Sequence, residues 1–83
     1  MAVHYRRSPV GDELAAAFFD ALDPLCFDEM LVAAPDGDVA EVSAWLGHAL
    51  QAGFVEEMDA GTGERCYRLR ARGRRVFAAE RRS

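Results

Sequence analysis

The 83-residue sequence has no Lys, no Ile and no Asn, two Cys, two His, and one residue each of Thr, Gln and Trp. Each scarcity removes a class of function. Cys26 and Cys66 are separated by 40 positions, and His4 and His48 are as isolated, so no metal-ligand spacing can be assembled. The two cysteines read as ordinary thiols in a reducing cytoplasm, and neither a metal nor a cofactor is expected. With three Ser and two His, no nucleophile–base pair or phosphate-cradling glycine motif emerges, which argues against an enzyme. No apolar run approaches the roughly 18 residues of a membrane span, and no apolar stretch of signal-peptide length follows Arg6-Arg7. A soluble, cytoplasmic protein is expected, without a membrane partner. The missing Lys, Ile and Asn share AT-rich codons, which points to a high-GC bacterial source and makes every fixed cation an Arg.

What is present is one domain's worth of chain, residues 1–83, with 51% apolar residues. The net charge of −4 hides a sharp segregation. Residues 1–10 hold two Arg and no acid, residues 11–64 hold thirteen Asp and Glu and no Arg, and residues 65–83 hold eight Arg against one Glu. Blocks this distinct imply two functional faces or strong internal pairing.

Ser8-Pro9 marks a helix start, followed by Leu14, Phe18, Ala21 and Leu22 at helical spacing until Asp23-Pro24 ends it. Leu25-Cys26-Phe27 suits a minimal strand leading into a helix over about 28–34, and Pro35-Asp36-Gly37 is a turn. Asp38-Val39-Ala40-Glu41 has the form of a capping box and opens a helix to about Ala52, stopped by Gly53. On that helix Val39, Val42, Leu46, Ala49 and Leu50 form the apolar stripe, with Trp45 at its border. Two strands, about 54–58 and 65–70, flank the Gly-rich tip Asp59–Glu64, and a last helix runs from about Ala71 to Arg81.

Val42-Ser43-Ala44-Trp45-Leu46, then Gln51-Ala52-Gly53-Phe54-Val55-Glu56, resembles the recognition helix and first wing strand of the MarR, PadR and ArsR regulators. Tyr67-Arg68-Leu69 followed by Arg72-Gly73-Arg74 is similar to their second wing strand and closing helix, and the resemblance spans roughly residues 13–80. It implies an α+β, mainly helical winged helix-turn-helix: three helices, a two-stranded wing hairpin and a C-terminal helix. Three features depart from the pattern, one of them the turn Pro35-Asp36-Gly37 before the recognition helix, one residue longer than usual. Ala44 stands where the family often carries Arg, and Arg70 replaces the Ser or Thr that caps the closing helix.

The resemblance implies double-stranded DNA as partner and a homodimer on a two-fold site. Ser43, Ala44, His48 and Gln51 would face the major groove, and Arg65, Arg68, Arg70 and Arg72 would hold the backbone. Phe19 is a candidate for the dimer surface. The alternative is a protein-interaction module on the same fold, with Trp45 and small apolar residues of the recognition helix docking on a partner and the acidic block facing a basic surface.

Overall fold

The computed structural model describes residues 9–59, 61 and 63–82, with the backbone alone at Arg81 and Arg82. Seven elements follow in chain order: α1 (Pro9–Asp20), β1 (Leu25–Cys26), α2 (Phe27–Ala33), α3 (Val39–Ala52), β2 (Val55–Asp59), β3 (Arg65–Leu69) and α4 (Ala71–Arg82). Their positions agree with the sequence reading to within one or two residues. The expected Ser8 cap lies outside the described residues.

The wing is not a two-stranded hairpin alone. β1 pairs antiparallel with β3, giving a three-stranded sheet in the order β1-β3-β2. Leu25 faces Tyr67 and Cys26 faces Cys66, while on the other side of β3 the pairs run from Val55–Leu69 to Asp59–Arg65.

Start and stop signals act as their chemistry dictates. Asp38 caps α3, its Oδ1 accepting the Glu41 N–H at 2.8 Å. At the other end Gly53 takes φ +78°, a left-handed conformation that favours glycine. The Phe54 N–H then reaches the Ala49 carbonyl at 2.9 Å and the Gly53 N–H the Leu50 carbonyl at 3.1 Å. This is the paired closure of a Schellman motif. A reciprocal cap bond also forms at α2, where the Cys26 N–H donates to Glu29 Oε1 at 2.9 Å.

The core gathers Leu14 and Phe18 of α1, Met30 of α2, Val42, Trp45, Leu46 and Ala49 of α3, Phe54, Val55, Tyr67 and Phe77. Trp45 is only 9% exposed and lies between Phe18 and Phe77, with ring centroids 5.9 and 6.0 Å away. It is a core residue, which removes it as an anchor for a docked partner. Phe19 packs against the same core, and the Arg74 guanidinium lies 5.3 Å from its ring centroid.

Three sequence expectations are corrected. Val39 is 58% exposed, because the cap turns the first residue of α3 away from the stripe that begins at Val42. Leu22 is 99% exposed, since α1 ends at Asp20 and helical periodicity no longer governs it. Cys26 and Cys66 are not two separate thiols: they are joined in a disulfide, brought face to face by the β1–β3 register with Cα atoms 4.0 Å apart.

Candidate nucleic-acid interface

α2, the turn after it and α3 form a helix-turn-helix, and the outer face of α3 is left open. Ser43, Ala44, Gly47, His48 and Gln51 are all exposed on it, beside Ala40 and Glu41. The buried positions Val42, Trp45, Leu46 and Ala49 define the opposite face, so 3.6-residue periodicity alone sorts readers from anchors. The open face is small and neutral at its centre. Ala44 and Gly47 let a partner approach the helix backbone, and Ser43, His48 and Gln51 offer hydrogen-bonding groups of the kind that read base edges. Glu41 places one negative charge at the N-terminal end.

The arginines expected on the wing fall into two groups. Arg68 lies opposite Glu56 in the β2–β3 register and its Nε donates to Glu56 Oε2 at 2.6 Å. That hydrogen bond, with the charges of Arg68 and Arg70 behind it, holds the Glu56 carboxyl below the usual carboxylate range against the opposing effect of burial. Arg65 Nε stands 3.9 Å from Glu57 Oε2, a looser and more exposed pair. Both cations are therefore partly neutralised within the wing itself.

Arg70, Arg72 and Arg75 are exposed and form no ion pair within 4.0 Å among the described residues. Arg70 sits at the joint between β3 and α4, where its N–H donates to the Phe54 carbonyl at 2.8 Å. Arg72 reaches the C-terminal end of α3: its Cδ lies 4.0 Å from where a Cβ on Gly53 would stand. Arg75, part of the same cationic cluster in the sequence, is a further exposed cation of α4. Its signal is its place in the Arg72–Arg75 run, of which Arg74 lies over the Phe19 ring.

At the wing tip Asp59 Oδ1 accepts the Gly61 N–H at 2.8 Å, which shapes the turn and engages that carboxylate. Next to that tip, through Cys66 near the start of β3, the disulfide ties β1, and so the start of α2, to the wing. Glu64 lies close to both sulfurs, one oxygen and the two Sγ atoms all falling within 4.8 Å of one another.

The chain shares its fold with MepR, a transcription regulator of the Staphylococcus aureus multidrug efflux pump MepA, with a TM-score of 0.75 over 90% of the chain. The fold is a winged helix. Sequence identity with MepR is 15%, and the chain spans 55% of MepR's length, so the likeness concerns architecture alone. No family model and no curated protein matches the sequence. Among the described residues, no helix is long and apolar enough to cross a membrane.

Proposed function

We propose that this chain is a double-stranded-DNA-binding winged helix of a transcriptional regulator. The observation that carries this reading is the uncovered face of α3, with Ser43, Ala44, His48 and Gln51 exposed next to three arginines that the wing glutamates do not hold. In this arrangement α3 enters the major groove, where Gln51 and Ser43 contribute base contacts and Ala44 permits close approach. Arg70, Arg72 and Arg75 supply phosphate contacts, which position the domain without reading sequence. Arg65 and Arg68 join only by exchanging a glutamate for a phosphate, so they contribute less. One such module covers a small footprint on DNA, and a homodimer on a two-fold site supplies the rest.

The test is binding to a labelled duplex by fluorescence anisotropy. Arg70→Ala combined with Arg72→Ala lowers affinity for every sequence, whereas Gln51→Ala changes the ranking among sequences more than the mean affinity. If the double variant binds as tightly as the unaltered chain, the role given to these arginines is wrong.

A second reading is favoured by the pairing of Arg65 and Arg68 with Glu57 and Glu56 and by Glu41 on the α3 face. These features suit a module that docks on a basic protein partner and leaves DNA alone. The absence of any duplex binding at low salt would select it.

A further inference from the structure

Three donors remote in sequence converge where β1, β3 and α2 meet. Cys26 Sγ, Cys66 Sγ and a Glu64 carboxylate oxygen lie within 4.8 Å of one another. Register accounts for the two sulfurs, since Cys26 and Cys66 are direct partners across β1 and β3. Glu64 precedes Cys66 by two residues, the period that returns a side chain to the same side of an extended chain. Both Cys26 and Glu64 border an open cavity of about 350 Å³ that Asp28 and Arg65 also line.

We infer that the reduced form of this site binds a thiophilic divalent cation, Zn²⁺ or Cd²⁺, through the Cys26 and Cys66 thiolates and the Glu64 carboxylate. Formation of the disulfide abolishes it. Neither step depends on DNA binding. In the structure the two sulfurs are bonded to each other, so reduction comes first. A thiol reductant delivers two electrons and two protons, the Sγ–Sγ bond breaks into two thiols, and the reductant leaves as its own disulfide. Binding of the cation then releases the two thiol protons.

The geometry suits this ligand set. Zn–S bonds of about 2.3 Å at a tetrahedral angle place two sulfurs roughly 3.8 Å apart. Directly opposed cysteines with Cα atoms 4.0 Å apart reach that separation by side-chain rotation once the bond is cut. Glu64 is the third ligand, and the fourth position opens on the cavity, where water or Asp28 completes it. Two other charged side chains, Arg65 and Glu29, stand near the site. Arg65 Nε is drawn to Glu57 at 3.9 Å, and Glu29 Oε1 accepts the Cys26 N–H. The buried and half-buried sulfurs and the exposed carboxylate give the cation a soft, charge-neutralising pair inside and a hard ligand at the rim.

The test is an anaerobic titration of the reduced full chain with Cd²⁺, followed by the ultraviolet thiolate-to-cadmium charge-transfer band. The expected result is saturation at one ion per chain, with no band from the oxidised chain. Glu64→Gln alters an exposed side chain and leaves the fold intact by circular dichroism. It weakens binding by roughly tenfold or more, the loss that even outer partners of a metal site bring. Cys66→Ser removes the band. No saturable band in the reduced chain, or saturation at one ion per two chains, overturns the site. Unchanged affinity in Glu64→Gln overturns the three-donor assignment.

Discussion

Gly73 of α4 lies so close to Phe54 that a Cβ at position 73 would overlap the Phe54 carbonyl oxygen and come 2.9 Å from Leu69 Cδ1. The same carbonyl accepts the Arg70 N–H, and the Phe54 N–H closes the end of α3. One residue, through its N–H and its carbonyl, thus joins the end of α3, the base of the wing and the start of α4. Gly73→Ala forces α4 off this joint and costs about 2–3 kcal/mol, read as a lower denaturant midpoint. Gly47 provides the control. It lies in α3 with nothing within 4 Å of an added Cβ, and Gly47→Ala should raise stability by about 0.5–1 kcal/mol.

Trp45 spans the core between Phe18 and Phe77. Trp45→Ala should cost about 3–5 kcal/mol, as large aromatic truncations in packed cores do. Trp45→Phe keeps part of the stack and should cost clearly less. Equal and small losses in chemical denaturation would show that Trp45 is not the keystone of the core.

The disulfide closes the segment from Cys26 to Cys66, a separation of 40 residues. Reduction should lower the unfolding free energy by about 2–4 kcal/mol, with a fall in melting temperature and the helical content of the folded state kept. Thermal denaturation with and without reductant measures this directly.

Two carboxylates give stability opposite dependences on pH. Burial first, then the charge of Asp36 and a hydrogen bond to it, raise Glu13 above the usual carboxylate range, and its Oε1 has no hydrogen-bond partner among the described residues. The folded chain therefore holds that proton more tightly than the unfolded one. Its contribution is full below the unfolded value of about 4.3 and is lost as pH rises through the raised one. Glu13→Gln should stabilise the protein at neutral pH and flatten that decline. Glu56 runs the other way, lowered chiefly by the Arg68 hydrogen bond. Its contribution is full above about pH 4.3 and is lost as pH falls through its depressed value. Glu56→Gln should remove that acid-side loss. Denaturation curves across the acid range separate the two.

Local chemistry made much of this fold readable. The Asp38 cap, the Gly53 stop and the alternation around the Gly-rich tip are short-range signals, and each element they bound appears where expected. What stayed hidden is long-range. The pairing of a two-residue strand with β3 carries almost no sequence pattern, so the third strand's place, the disulfide and the donor cluster at Glu64 were invisible together. The exposed face of α3 was legible from periodicity, because a helix buries one stripe and leaves the other. The state of the wing arginines was not, since whether Arg68 meets phosphate or Glu56 depends on cross-strand register that charge counting does not contain.

The salt dependence of duplex binding tests the central claim most directly. Each phosphate neutralised contributes a slope of about −0.9 in log affinity against log salt. Contacts from Arg70, Arg72 and Arg75 predict a slope of roughly −3 per chain, reduced by about 2 in the Arg70→Ala, Arg72→Ala double variant. An affinity for duplex DNA that is absent at low salt, or one whose slope the double variant leaves unchanged, would contradict the assignment.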